Sequence, residues 1–329
     1  MKLAIVILNW NGKELLQQFL PSVIKHSQQA TIYVADNAST DDSITFLKNN
    51  FPSIKIIQNQ ENGGYAKGYN DALKQIDEDL YCLLNSDVKV TENWLTPILD
   101  EFKQHPETAI IQPKILDYKN KDYFEYAGAA GGFIDKFGYP FCRGRIFNTI
   151  EKDQNQYNDT INIFWASGAC FFVRKDIFNT LNGFDESFFA HMEEIDFCWR
   201  AYNHGYITKY IGTSTVYHVG GATLKNTNPK KTYLNFRNSL FTLVKNANGT
   251  IFPLILTRLL LDGIAGVKFL LEFKLEHTFS IIKAHFSFYA HLPSLLKLRK
   301  ESAKSDNYYH KKSIVWLYFI RKHKYFNCL

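Results

Sequence analysis

Between Gly183 and Arg200 the chain places three carboxylates, Glu193, Glu194 and Asp196, within four positions, directly behind the aromatic turn that contains Phe184, Phe188 and Phe189. A carboxylate held beside so much apolar surface is suited to take a proton from an attacking hydroxyl. The plainer reading is that acids favour the first turn of a helix, where they face the positive end of its dipole. Asp196 and Arg200 stand i,i+4 and are expected to pair along that helix.

A second group of polar residues sits where apolar runs stop. Leu3 to Leu8 ends in Asn9, Thr31 to Ala35 ends in Asp36-Asn37, and Leu80 to Leu84 ends in Asn85-Ser86-Asp87. In open α/β sheets, ligands bind beyond the carboxyl ends of the strands, so these residues are expected to line one crevice. An Asp after a strand is also ordinary turn chemistry. Asp36 can accept from a base N–H or a ribose hydroxyl. Asp87 beside a diphosphate suits a hard cation, Mg²⁺ or Mn²⁺. His218, which follows a further apolar run, is a candidate second ligand, and its imidazole favours Mn²⁺. Between Asn62 and Asn70, Gly63, Gly64 and Gly68 allow close backbone approach to a ligand, and Lys67 is placed to meet a phosphate. The stretch carries neither a Gly-x-Gly-x-x-Gly fingerprint nor a phosphate-binding Gly-Lys-Ser/Thr loop.

The elements that must position these residues alternate. Strands are expected at 3–8, 31–35, 54–57 and 80–84, and helices at 13–27, 41–49 and 67–75. Continuous apolar strands alternating with helices imply a parallel α/β sheet covered on both faces. Residues 117–160 are polar and Gly-rich without periodicity, and are expected to run as a long excursion around the cleft. Further strands are expected at 163–174 and 208–217. From about Pro229 the chain turns to long helical segments. Phe252 to Phe273 is apolar but carries Arg258, Asp262 and Lys268, which argues against a spanning helix and for one that lies on a membrane or packs on the core.

Composition sets outer limits. The 329 residues are 46% hydrophobic and 16% aromatic, enough for a full core. Five scattered cysteines without a Cys-x-x-Cys pair exclude a disulfide framework and a zinc site, and fit a reducing cytoplasm. The first residues do not read as a signal peptide. Residues 297–329 hold nine Lys/Arg against two Asp/Glu, leaving the remainder almost neutral. That basic tail points to an anionic surface as partner, and no nucleic-acid-binding motif is present.

In this order, Val6 to Gly12, Val34 to Asp41, Asn62 to Asn70, Leu83 to Asp87, Gly183 to Arg200 and His218 resemble the family 2 glycosyltransferases, in the rhamnosyltransferase-like branch that builds bacterial surface polysaccharides. Tyr233 to Asn238 also looks like that branch. The resemblance implies a GT-A fold, an α/β nucleotide-diphospho-sugar transferase with a mixed, mainly parallel sheet and helices on both faces. It implies a catalytic domain over 1–228 and a helical, basic extension over 229–329. It implies an inverting transfer from a nucleotide-diphosphate sugar to a glycan or lipid-linked acceptor. Asn9, Asp36, Asn37, Gly64, Lys67, Asn70, Ser86 and Asp87 would hold the nucleotide sugar. Asp87 matches the last Asp of the family's metal motif, whose first position is Asn85 here, and His218 matches a histidine that completes the metal site for Mn²⁺ or Mg²⁺. Glu193-Glu194 falls on the family's Glu-Asp pair, with Glu194 at the position of the base. Trp165, Ser167 and Gly168 are expected near the acceptor, with Trp165 either stacking on a sugar or packing in the core.

The expected place of work is the cytoplasmic face of the cell membrane, held there peripherally. Two rival readings have their own signatures. Nucleotidyl transfer would release pyrophosphate rather than a nucleoside diphosphate. A non-catalytic glycan- or lipid-binding scaffold would turn over no donor.

Overall fold

The computed structural model describes residues 1–220, 228–301 and 305–329. The first half alternates as expected: β1 (Leu3–Asn9), α1 (Lys13–His26), β2 (Ala30–Asp36), α2 (Ser43–Asn50), β3 (Lys55–Gln58), α3 (Gly64–Leu73) and β4 (Leu80–Asn85). Next come β5 (Val88–Val90), α4 (Thr96–Gln104) and β6 (Thr108–Asp117), a stretch that the sequence pattern had left without elements. The chain continues through β7 (Gly132–Ile134), β8 (Pro140–Cys142), β9 (Arg145–Ile146), β10 (Thr149–Ile150), β11 (Thr160–Ile163), β12 (Cys170–Arg174), α5 (Lys175–Thr180), α6 (Glu193–Asn203) and β13 (Ile207–His218). It ends in α7 (Pro229–Asn246), α8 (Ile251–Leu271), α9 (Leu275–Glu301) and a C-terminal segment of short turns.

The main sheet runs β11-β13-β6-β12-β4-β1-β2-β3, with β5 added on β13. β1 pairs in parallel with β2 and β4, β2 with β3, and β6 with β13. β12 is antiparallel to both of its neighbours, β4 and β6. Along β1 the side chains alternate between two cores. Ala4 and Val6 face one beneath α3, α6 and α7, while Leu3, Ile5 and Ile7 face the other beneath α1 and α4. That period of two, apolar on both faces, is what a sheet covered by helices requires. The chain reverses direction across the sheet between β1 and β4, and Asn9 and Asn85 end those two strands.

Two expectations need correcting. The strand foreseen at 163–174 is two strands, β11 on β13 and β12 between β4 and β6. The chain between them turns at Phe164–Ala169, where Trp165 exchanges backbone hydrogen bonds with Gly132. Residues 117–160 are not a loose excursion. They build a second, four-stranded antiparallel sheet, β10-β9-β8-β7, whose Phe141 and Ile146 are fully buried. Strands of two or three residues show no period, so nothing in the pattern announces them.

The helical region is tied to the rest of the chain. α7 packs on α6 and α9, and α8 on α9. Residues 305–329 lie against the second sheet. Ile314 N–H donates to Asp135 Oδ2 at 2.9 Å, Tyr308 donates its hydroxyl to Lys136 O at 2.6 Å, and Phe326 packs on Phe133 at 5.1 Å. The expected boundary at 228/229 adjoins residues 221–227, and residues 302–304 of the basic tail likewise lie outside the described residues.

Candidate active site

At the carboxyl ends of β1 and β2 a polar network fixes Asn9, Asp36 and Asn37, all buried. Asn9 Nδ2 donates to Asp36 Oδ1 at 3.0 Å and to Ser39 Oγ at 3.2 Å, while Asp36 Oδ2 accepts from Ser39 N–H at 2.9 Å. Asn37 N–H donates to Asn9 O at 2.7 Å, and its side chain spans Asn62, Gly64 O and Asn59. Asn9 Oδ1 has no partner among the described residues. A Cβ on Gly12 would stand 2.5 Å from that oxygen, so glycine there leaves room for it.

Two residues expected at the nucleotide are otherwise engaged. Lys67 Nζ pairs with Asp71 one turn along α3. Asn70 uses its whole amide to brace the turn before the acidic helix, accepting from Phe184 N–H and donating to Phe184 O, both at 2.9 Å. Gly64 has φ +78°, and a Cβ there would meet Phe189 O at 2.3 Å. Tyr65 N–H donates to that same carbonyl at 2.8 Å. The Gly-rich segment therefore docks the acidic turn onto α3.

Asp87 follows β4, and β5 carries it to the end of β13, where Val88 pairs with His218. Asp87 Oδ1 lies 3.1 Å from His218 Nε2, and Asn85 Nδ2 lies 3.3 Å from the same nitrogen. On the other side His218 Nδ1 is 3.4 Å from Glu125 Oε1. Burial alone would lower the His218 pKa, but Glu125 and Asp87 outweigh it and hold it up to about 10. Glu125, itself buried, was not foreseen. It lies in the stretch read as an excursion, and the pairing of Leu116 with Phe124 and its own N–H donating to Ile115 O bring it back to the sheet. Ser86 stands beside this group, half-buried.

Among the described residues no three His, Cys, Asp or Glu side chains form a ready-made metal cage. The donor set still suits a hard or borderline cation. One carboxylate and one imidazole would be supplied by the protein, the remaining positions falling to phosphate oxygens and water. His218 must lose its proton to serve.

The acidic turn is backbone under tension. Phe189, His191 and Met192 have φ of 63°, 69° and 74°, a region that non-glycine residues occupy at a cost of about 1–3 kcal/mol each. α7 holds them there. Asn238 Nδ2 reaches the carbonyls of Phe188, Ala190 and His191 at 3.1, 3.0 and 2.7 Å, and Arg237 Nη2 donates to Ser187 O at 2.9 Å. Glu193 and Glu194 then open α6, and an Oε2 atom on each is buried without a partner. Burial pushes Glu194 up to about 7. Burial, reinforced by the neighbouring Glu194, pushes Glu193 well above the carboxylate range. Burial and Lys231 lower His191 to about 4, so its ring is neutral. Asp196 behaves differently. It is bound by Arg200 at 2.9 Å, Lys245 at 2.9 Å and Asn246 at 2.8 Å. Burial alone would raise its pKa, but the two cations hold it below the usual range. Asp196 is architectural, as its spacing implied.

The residues foreseen at the acceptor separate. Trp165 is in the core, 3% exposed, with its indole N–H satisfied by Phe133 O at 2.8 Å and its ring over Gly132. Of the two roles open to it, packing is the one observed. Ser167 is also buried, with N–H to Gln112 Oε1 at 2.8 Å. Gly168 reaches the site, where its carbonyl accepts from Tyr65 Oη at 2.9 Å. The charges of Glu193 and Glu194 help raise the Tyr65 hydroxyl pKa, although burial raises it most.

A Rossmann-like sheet with a polar network at its switch point and helices on both faces has the GT-A architecture. The family model for glycosyl transferase family 2 matches residues 4–181, more than half of the chain, and the protein belongs to that family. It is 25% identical over 235 residues to the N-acetylglucosaminyl-diphospho-decaprenol L-rhamnosyltransferase of Mycobacterium tuberculosis, covering 66% of this chain and 75% of that one. It is 23% identical over 290 residues to the low-salt glycan biosynthesis hexosyltransferase of Haloferax volcanii, covering 84% and 87%. In fold it is similar to S. aureus TarS in complex with UDP-GlcNAc, with TM-score 0.56 at 16% identity, over 91% of this chain and 84% of that one. A mannosyltransferase from Pyrobaculum calidifontis in complex with GDP-Man and Mn²⁺ gives TM-score 0.54 at 11% identity, over 89% and 75%.

Proposed function

We propose that this glycosyltransferase moves a sugar, rhamnosyl by analogy with its named relatives, from a nucleotide-diphosphate donor to a hydroxyl of a glycan or lipid-linked acceptor in surface polysaccharide synthesis, with inversion. The observation that carries the reading is Glu194, a half-buried residue whose Oε2 is buried without a partner and whose pKa is pushed up to about 7. It is matched to accept a proton near neutral pH. Asp36 would take the hydrogen-bond donors of the base or ribose, with Asn9 and Asn37 fixing its orientation. Asp87 and His218 would hold Mn²⁺ or Mg²⁺, which when bound supplies positive charge against the departing diphosphate. Glu194 takes the acceptor proton as the acceptor oxygen bonds to the anomeric carbon, and the bond from that carbon to the diphosphate oxygen breaks on the opposite face. Burial and the neighbouring Glu194 push the Glu193 carboxyl well above the carboxylate range, which disfavours a second negative charge beside the base.

The test is Glu194→Gln, measured for transfer and for donor binding by calorimetry. Transfer is expected to fall about 10²–10⁴-fold, the range for a lost general base, with donor binding kept. Transfer within a few-fold of the parent enzyme would remove Glu194 from the role. A panel of nucleotide sugars with Mn²⁺ should yield a nucleoside diphosphate from one donor, and Asp87→Ala should abolish it. Pyrophosphate instead would mean nucleotidyl transfer.

A further inference from the structure

α8 is amphipathic the wrong way round for a helix in water. Its buried face holds Leu254, Arg258, Asp262 and Gly266. The ion pair is closed at 2.8 Å, with Arg258 stacked 3.8 Å over Tyr139. Its exposed face carries Phe252, Leu256, Leu260, Ile264, Val267 and Leu271, spaced three or four residues apart, and Lys268 is the one exposed charge on the helix. The tip of the hairpin is Phe273, 92% exposed. α9 returns alongside with a second outward stripe, Leu275, Phe279, Ile282, Phe286 and Tyr289. Trp316, Phe319 and Ile320 add exposed apolar groups from the C-terminal segment, and Lys268 Nζ sits 5.6 Å over the Phe319 ring, which places that segment beside α8. Single exposed apolar residues are ordinary. Helical stripes of this length on both arms of a hairpin mark a surface that is covered in use.

We infer that the exposed face of the α8–α9 hairpin, with the Trp316–Ile320 turn, docks on an anionic phospholipid bilayer. The charges select that occupant. Lys274, Lys283, Lys297 and Lys300 on the hairpin, and Arg321 and Lys322 after the turn, are all exposed. Among the side chains described, the exposed acids of the hairpin helices and their connection are Glu272, already paired with Lys268 and Lys274, and Glu276. Apolar and aromatic side chains enter the acyl boundary while a basic rim meets anionic headgroups. A second copy on the same face would bring lysines against lysines, which is costly. No described helix is long and apolar enough to cross a membrane, and the buried Arg258–Asp262 pair lets α8 lie flat with its apolar side outward. The inference is independent of the reaction assigned above. It also moves the membrane contact expected of the basic tail onto the helices, because much of that tail is packed on the second sheet.

The experiment is co-sedimentation of the full chain with vesicles of phosphatidylcholine containing phosphatidylglycerol, and with phosphatidylcholine alone. The parent protein should pellet with the anionic vesicles and release with salt. Leu260→Glu/Ile264→Glu should weaken binding about tenfold or more, and Lys297→Glu/Lys300→Glu about tenfold on anionic vesicles only. All these positions are exposed, so melting temperatures should match the parent. Binding unaffected by Leu260→Glu/Ile264→Glu would overturn the inference. So would a parent protein that ignores vesicles yet forms a dimer that this double substitution dissolves, which would assign the face to a second copy. Donor calorimetry on the same variants keeps the two questions apart, since a failed nucleotide reading leaves the vesicle result standing.

Discussion

The polar ends of β1 and β2, proposed above to hold the nucleotide, and the acidic turn are built in opposite ways. Asn9, Asp36 and Asn37 extend from neighbouring parallel strands in register, and their hydrogen bonds run mostly to one another and to residues of the adjoining loops. The turn at 187–192 has left-handed backbone and no regular pairing. It is held by α7, about fifty residues away, and by α3. One region is the end of a rigid sheet. The other is strained chain that keeps its shape only because distant side chains grip its carbonyls. On the function proposed above the strand ends bind the donor and Glu194 is the base; a base must be aimed, and the grip of Asn238 on the turn would supply that aim.

The sharpest way to break this contrast is to remove the anchor beneath the turn. Asp196→Ala leaves Lys245, only 4% exposed, with Asp185 as its one remaining carboxylate among the described residues, and takes the carboxylate from Arg200. Breaking a buried pair from one side costs about 3–5 kcal/mol, so a large fall in melting temperature is expected. A change under 1 kcal/mol would show that the α6–α7 junction is not what stabilises this region. Next in size is Asn238→Ala. It frees three carbonyls without touching the crevice, and transfer should drop about 10–10²-fold while donor affinity stays within twofold. Equal losses in both would mean that the turn and the crevice form one unit.

Asn9→Ala is the reciprocal variant. It removes the donor to Asp36 and the unpartnered Oδ1, and donor binding should weaken about tenfold, roughly the value of one hydrogen bond, with the turnover number nearly unchanged. A fall in turnover at saturating donor would place Asn9 in the transition state instead.

The same contrast decides what was legible beforehand. Polar residues at strand ends are readable because period and position follow from local pattern, so Asn9, Asp36 and Asp87 stood out. The acidic pair was readable by its crowding. Glu125 and Asn238 were not assigned roles. Glu125 follows short irregular strands that carry no periodicity, and Asn238 is one polar residue in a helix whose partners lie far off in sequence. Trp165 shows the reverse limit. A tryptophan near a cleft is a chemically plausible ligand, yet Gly132 and Phe133 across the fold hold it in the core. The antiparallel insertion of β12 was also hidden, since a buried strand reads alike in either direction.

The smallest effect concerns the cost of the base itself. The Glu194 pKa is raised from 4.5 to about 7 in the folded protein. A raised acid is at no disadvantage below pH 4.5, where it is protonated in both states, and it loses stability as pH rises through about 7. Glu194→Gln removes that charge. The variant should therefore match the parent near pH 4.5 and exceed it above pH 7, by about 1–2 kcal/mol or several degrees in melting temperature. Transfer by the parent should rise over the same interval as the carboxylate is freed. If the melting temperatures of variant and parent stay parallel from pH 5 to 8, Glu194 is not held in an apolar setting, and the strained turn that α7 maintains is not what tunes it.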